Sequence, residues 1–169
     1  LLALQILVIK FLFPTTLFFD NFTSLPGDAI DIKVNLNASA PNSFIIVRGS
    51  ITIDLLTISQ SDSLYKTEEN KLVTHLESPD FFDVANFPTA TFEITSSDLN
   101  TNKVYGNLTV RGITYEEVVE NVVFDGEKNS ASGTLKFDRQ KYGVFYKGSS
   151  KDMLISDVID LKINLKLIK

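Results

Sequence analysis

The 169-residue sequence contains no cysteine, no tryptophan and a single histidine, His75. The absence of cysteine excludes disulfide bonds and thiolate chemistry. His75 belongs to no HxH or HxxxH pattern, and the chain contains no GxSxG arrangement. A catalytic histidine needs a positioned partner, and a metal site needs several converging ligands. We therefore predict that the chain is not an enzyme, that it holds no metal, and that His75 is structural or contacts a ligand.

Positive charge is also scarce in this chain. The chain has 16 Lys and Arg residues and 21 Asp and Glu residues, which gives a formal net charge of −5. No basic patch for nucleic acid is therefore indicated. The eight glycines are scattered and form no phosphate-binding loop. Apolar residues make up 44% of the sequence, which argues against disorder and is enough for a buried core.

The most apolar stretch comes first, over residues 1–19. It resembles the hydrophobic region of a secretion signal, but Lys10 and Pro14 leave it too short for a full membrane span. Three interpretations stay open: a first barrel strand, a retained membrane anchor, or a segment docked on a partner. We therefore divide the chain into this segment and a barrel domain of residues 20–169. We expect the segment to be buried, because so apolar a run is unfavourable in water.

Alternation of apolar and polar residues predicts strands over most of the remaining chain. The clearest alternations cover residues 103–111, 130–138 and 158–169. A valine-rich strand is predicted over residues 117–125, and Gly49 is expected to interrupt the β-branched run around it. Because a helical pattern occurs only near residues 68–77, the fold class predicted is all-β, an antiparallel barrel or sandwich.

The stretch over residues 71–94 combines a helix, a turn and a strand. Leu72 and Leu76 lie four residues apart, on one face of the short helix, which a following Ser-Pro pair ends. Phe81 and Phe82 come next, before a second proline and a strand with period two. A helix and a Phe-Phe turn inserted between strands predict a lid over the interior of the sheet.

Four segments of this sequence resemble one family. HLESPDFFDVANFPTATFEI, residues 75–94, is similar to the signature of the YceI-like, polyisoprenoid-binding family of bacterial proteins. GNLTVRGIT (106–114), FDRQKYGVFY (137–146) and ISDVIDLKINL (155–165) resemble the later strands of that family. The resemblance implies a lipocalin-like antiparallel β-barrel with a short helix insertion. It also implies that an isoprenoid lipid or isoprenoid quinone is bound in the barrel with no other cofactor, in the periplasm or associated with the cell envelope.

The resemblance and the strand parity together give eleven candidate ligand-binding residues. Five match the family's helix insertion at the mouth of the barrel: Leu72, His75, Leu76, Phe81 and Phe82. Six are candidates for its inner wall: Phe92, Leu108, Val110, Leu135, Phe137 and Tyr142. Burial of a forty-carbon chain contributes on the order of 15 kcal/mol before ordering costs, at about 25 cal/mol per Å². Tight binding therefore requires no strong headgroup contact.

Two further expectations concern charge and partners. Asp138 and Arg139 are adjacent at the end of a predicted strand, where they are expected to form an ion pair or to contact a ligand headgroup. The alternative to lipid binding is a non-enzymatic scaffold subunit of an envelope or membrane protein complex. In that case the apolar residues 1–19 would dock on the membrane or on the partner.

Overall fold

The computed structural model describes the backbone of residues 2–3, 7–10, 16–19, 31–34, 44–60, 69–98, 100–125, 130–145 and 156–167. Side chains are described over residues 49–58, 73–98, 100–125, 130–145 and 156–165.

Eleven strands and one α-helix make up the regular structure of these residues. The strands are β1 (Leu2–Ala3), β2 (Leu7–Lys10), β3 (Thr16–Phe19), β4 (Asp31–Val34), β5 (Phe44–Asp54), β6 (Ile58–Gln60), β7 (Thr89–Asp98), β8 (Lys103–Val110), β9 (Ile113–Asp125), β10 (Ser130–Asp138) and β11 (Val158–Leu167). The helix is α1 (Glu69–Glu77), and two 3₁₀-helices are η1 (Leu55–Thr57) and η2 (Arg139–Tyr142). Every described strand pair is antiparallel.

The strands form one curled sheet in the order β4-β5-β7-β8-β9-β10-β11-β2-β3-β6, with β1 also paired to β11. Six long strands, β5 and β7 to β11, form a half-barrel. The chain connects β6, at one end of this order, to β5, the second strand from the other end, through the three residues of η1. The structure therefore confirms the predicted lipocalin-like antiparallel β fold with one short helix.

The inward face of the sheet is apolar and alternates with a polar outward face. In β8, Val104, Gly106, Leu108 and Val110 are buried, and the residues between them are half-buried. In β11, Ile159 and Leu161 are buried in the same core cluster. Removal of these side chains from water is the main stabilising contribution to the half-barrel.

Two sequence expectations about strands were wrong in detail. Gly49 does not interrupt β5, since the strand runs through it and Gly49 forms the first pair of the β5–β7 ladder, with Ile94. The interruption comes at η1, where the Asp54 side chain accepts a hydrogen bond from the Leu56 N–H at 3.0 Å and so caps the turn. Strand β9 begins at Ile113 rather than at residue 117.

The apolar segment 1–19 contains the three short strands β1, β2 and β3. Strand β2 pairs with β11 and β3, and β3 pairs with β6, so these strands are part of the sheet. The predicted burial of the segment concerns side chains that lie outside the described residues, and the division at residue 19 stays a prediction. Among the helices of the described chain, none has the length and hydropathy needed to cross a membrane.

Candidate functional site

An apolar cavity of about 40 Å³ lies inside the curled sheet. Residues from all six long strands line it: Ile51, Phe92, Ile94, Val104, Val119, Val122, Ala131, Ser132, Gly133, Ile163 and Leu165. None of these lining residues is charged, and the atoms that they expose to the cavity are apolar. An apolar cavity of this size does not hold water firmly, because a bound water needs two to four polar partners. The cavity is therefore suited to an apolar group.

A bulge in β9 places two valines in the wall of this cavity. Asn121 adopts a positive φ of 54°, and the β9–β10 register shifts between Ser132 and Thr134. The extra residue lets both Val119 and Val122 face inward, although they are three positions apart and would lie on opposite faces of a regular strand. Gly133 lies against these valines, and a Cβ there would stand 2.6 Å from Val119 Cγ1. The bulge and the glycine therefore shape this part of the wall together.

The ring of Phe92 borders the cavity and lies across the backbone of β8. A Cβ on Gly106 would stand 2.5 Å from Phe92 Cζ, so only glycine leaves room for the ring at this position. Phe92 pairs with Leu108, and the cavity residue Ile94 pairs with Gly106. Phe92 therefore stands between the cavity and the half of the interior that extends toward Val110 and the β8–β9 turn.

That half of the interior contains four buried aromatic side chains among aliphatic ones, namely Phe81, Phe82, Phe137 and Tyr142. We name it the aromatic end, defined by Phe81, Arg111 and Tyr142. Phe81 is fully buried and packs edge-to-face on Phe82 with ring centroids 4.8 Å apart. The Phe82 N–H donates to the Leu76 carbonyl at 3.0 Å, which turns the chain back under α1. The loop after α1 therefore brings both phenyl rings into the core.

Arg111 connects three segments at the aromatic end. It occupies the β8–β9 turn with a positive φ of 50°, a conformation that is unfavourable for a side chain of this size. Its Nη1 donates to the Phe81 carbonyl at 2.6 Å and to the Gly143 carbonyl at 3.2 Å. These bonds help to offset the cost of the turn and fix the loop after α1 against the residues that follow η2.

Arg139 is buried and fixes η2 to the start of β11. Its Nε donates to the Ser156 carbonyl at 3.0 Å, its Nη1 to the Val144 carbonyl at 2.6 Å, and its Nη2 to Asp157 Oδ1 at 2.8 Å. The expected ion pair between Asp138 and Arg139 is therefore wrong. Asp138 instead caps η2, since its Oδ1 accepts from the Gln140 N–H at 2.9 Å.

Tyr142, at the end of η2, is fully buried at the aromatic end. Its ring packs edge-to-face on Phe137 and Tyr115, with centroid distances of 5.2 and 5.4 Å. Its hydroxyl donates to Glu117 Oε1 at 3.1 Å. Burial, and then the negative charge of Glu117, raise the pKa of Tyr142 above its ordinary value. The phenol is therefore held neutral, as a hydrogen-bond donor to Glu117.

Of the eleven residues predicted from sequence, Phe92 lines the cavity. Eight others are buried in the core cluster outside the cavity wall: Leu76, Phe81, Phe82, Leu108, Val110, Leu135, Phe137 and Tyr142. His75 is half-buried, with its ring 6.1 Å from that of Phe81. Leu72 lies in α1, and its side chain falls outside the described residues. The ligand-binding roles of all eleven stay predictions.

Sequence reasoning did not select the other ten cavity residues. Strand parity had already placed Ile94, Val104, Gly133, Ile163 and Leu165 on one face of their strands. Strand parity shows on which face of the sheet a residue lies. It does not show how far along the barrel axis the residue lies, because that position depends on how the strands are staggered. Within the described part of the chain, no group of three or more His, Cys, Asp or Glu residues could hold a metal ion.

The antiparallel half-barrel with its apolar interior defines a lipocalin-like class of fold. Residues 15–167 match the family model described as the YceI-like domain. The chain therefore belongs to the YceI-like domain family, as its sequence motifs predicted.

Known proteins share both the sequence and the fold. A UPF0312 protein of Staphylococcus aureus strain bovine RF122 is 35% identical over 112 residues, which cover 61% of this chain. This match spans about 60% of the relative's own length. BcnA of Burkholderia cenocepacia has a similar fold, with a TM-score of 0.63 and 20% identity over 97% of this chain and 96% of BcnA. A YCEI protein of Campylobacter jejuni gives 0.58 and 20% identity over 89% of this chain and 82% of its own.

Proposed function

We propose that this chain binds the apolar tail of an isoprenoid lipid or isoprenoid quinone inside its barrel, without a chemical step, and carries it in the bacterial cell envelope. The observation that carries the proposal is the apolar cavity, to which all six long strands contribute. The chain belongs to the YceI-like domain family. The resemblance to this family implies polyisoprenoid binding, which supports the same class of ligand. The envelope location follows from that resemblance, and fractionation of cells tests it.

The size of the cavity implies that binding widens the barrel. Pockets for ligands of ordinary size measure about 300–1,000 Å³, whereas this cavity measures about 40 Å³. The tail therefore displaces apolar side chains from the interior as it binds. Phe92 is the largest side chain in the wall, so its displacement makes the most room for the tail. The displaced side chains then pack on the ligand instead of on one another, so the interior stays apolar in both states.

A pair of substitutions in β10 tests the proposal. Ala131 lines the cavity between Phe124 on β9 and Leu165 on β11. Ala131→Phe fills the space that the tail would occupy, and we expect the amount of isoprenoid lipid extracted per protein and measured by mass spectrometry to fall several-fold. Thr134→Phe is the matched control, because Thr134 pairs with exposed residues on the outward face.

Equal lipid content in the wild type and in the two variants would contradict binding in this cavity. Thermal unfolding of each variant separates loss of lipid from loss of fold. A protein purified from its native host without any isoprenoid lipid would contradict the proposal as a whole.

One observation favours the alternative function, a scaffold subunit of an envelope complex. Five exposed apolar side chains lie at the aromatic end of the barrel: Leu56, Ile113, Tyr115, Phe145 and Val158. Exposed apolar side chains at one end of a protein favour contact with a partner. Size analysis of the protein solubilised gently from cells tests this alternative, since a scaffold subunit migrates with its complex and a free carrier migrates at the size of a monomer.

A further inference from the structure

Glu117 is the only charged residue on the inward face of the six long strands, within the described part of the chain. It pairs with the buried Gly106 on β8, and Val119 follows it on the same face of β9. The other described inward positions carry apolar residues, a tyrosine, a serine or glycines. A carboxylate is costly to remove from water unless hydrogen-bond donors compensate it. A single carboxylate in an otherwise apolar wall therefore calls for an explanation.

Glu117 lies where the sheet opens between β9 and β10. The β9–β10 pairing ends at Val119 and Leu135, although β9 begins at Ile113 and β10 continues to Asp138. Tyr142, in η2, reaches Glu117 at this gap and donates to its Oε1 at 3.1 Å. Glu117 is half-buried at the gap, whereas Val119, one inward position further along β9, lines the cavity. The carboxylate therefore stands between the opening in the wall and the apolar cavity.

We propose that Glu117, together with Tyr142, binds the polar end of the isoprenoid ligand and selects an uncharged headgroup that carries a hydroxyl donor. This inference rests on the proposed function. A carboxylate has about four acceptor positions, and Tyr142 occupies one of them. A hydroxyl at the gap can donate to the same carboxylate while its tail extends past Val119 into the cavity.

The same carboxylate disfavours a phosphate headgroup. Like charges repel strongly where little water separates them. The two arginines at the aromatic end are directed elsewhere: Arg111 donates to the Phe81 and Gly143 carbonyls, and Arg139 to Ser156, Val144 and Asp157. The shared chemistry of the accepted ligands is a neutral hydroxyl, which either a polyprenol or an isoprenoid quinol supplies.

The test measures the affinities of the delipidated full chain for four ligands of equal isoprenoid length: a hydrocarbon, an alcohol, a monophosphate and a quinol. We expect the alcohol or the quinol to bind at least about tenfold more tightly than the monophosphate. One hydrogen bond to a charged group is enough to supply that factor in affinity. Preference for both hydroxyl ligands identifies the hydroxyl itself as the recognised group. Preference for the quinol alone identifies the aromatic headgroup.

Glu117→Gln keeps the size of the side chain and removes its charge. We expect the variant to bind the monophosphate about tenfold more tightly than the wild type and to lose the preference for the hydroxyl ligands, with hydrocarbon binding unchanged. Glu116→Gln is the matched control, because Glu116 is exposed on the outward face beside Asn107. It should leave all four affinities unchanged.

The outcomes separate this inference from the proposed function. If the hydrocarbon binds but the headgroups bind alike in the wild type and in Glu117→Gln, the headgroup inference is overturned and the proposed function stands. If none of the four ligands binds, both are overturned. Should Glu117→Gln fail to fold, the wild-type series alone decides, since a monophosphate that binds as tightly as the alcohol and the quinol overturns the inference.

Discussion

Arg139→Leu tests whether the buried arginine is a structural link between η2 and β11. The substitution keeps an apolar side chain in the core but removes three hydrogen bonds, to Ser156, Val144 and Asp157. The Arg139 side chain is 4% exposed, whereas its charged partner Asp157 is 54% exposed. The Asp157 carboxylate therefore regains water when its partner is removed, and that ion pair alone is worth no more than about 1 kcal/mol.

The two carbonyl groups account for most of the expected loss. An acceptor that loses its donor in a protein interior costs about 1–3 kcal/mol. With the carbonyls of Val144 and Ser156 both affected, we expect the free energy of unfolding to fall by roughly 3–5 kcal/mol. For a domain of this size, each kcal/mol lowers Tm by about 2–4 °C, so the melting temperature should fall by roughly 10 °C.

Urea unfolding followed by circular dichroism measures this loss, and two further variants define its origin. Lys141→Leu changes an exposed cation of the same 3₁₀-helix and should alter the free energy of unfolding by about 0.5 kcal/mol or less. Asp157→Asn should cost about 1 kcal/mol or less. A loss below about 1 kcal/mol for Arg139→Leu would refute the reasoning. If lipid retention fell while stability was unchanged, Arg139 would instead act at a ligand headgroup.

Three further substitutions test the remaining residues. Phe82→Ala should lower the free energy of unfolding of the delipidated protein by about 3–5 kcal/mol, as measured by thermal unfolding. The control Phe145→Ala should cost little, because its ring is 62% exposed. Loss of lipid without loss of stability in Phe82→Ala would favour the lid predicted from sequence. Gly106→Ala should lower stability by about 1–3 kcal/mol because its Cβ displaces the ring of Phe92, and an unchanged urea midpoint would contradict that packing. His75→Ala should keep the fold and show no loss of turnover on lipid substrates; a reproducible activity that this change abolished would show the protein to be an enzyme.

The strands that were predicted well from sequence are those in which the local alternation of residue types agrees with the pairing of the strand in the sheet. Strand β10 has the predicted bounds, and β8 and β11 begin where their alternation begins, since no described bulge interrupts them. In β9, the valine-rich composition predicts a strand but not its inward face, and the bulge at Asn121 changes the face partway along the strand. An asparagine tolerates a positive φ, yet nothing local to the sequence requires one at this position.

The site was harder to predict because it depends on contacts between distant parts of the chain. Arg139 was paired with its neighbour Asp138, whereas its actual partner, Asp157, approaches only because β10 and β11 are antiparallel neighbours. Glu117 resembled any polar residue of a half-exposed strand. Its pairing with Gly106 and its hydrogen bond from Tyr142 depend on strand register and on η2, which no local pattern encodes.

The hydrogen bonds of Arg111 have a consequence for the way in which the aromatic end opens in solution. The Phe82 amide is bonded to the Leu76 carbonyl and the Val144 amide to the Arg139 carbonyl, in segments far apart along the chain. One guanidinium holds both segments through the Phe81 and Gly143 carbonyls. Amide hydrogen exchange reports the free energy of such local openings. The two amides should therefore exchange with a common opening free energy, as parts of one cooperative unit.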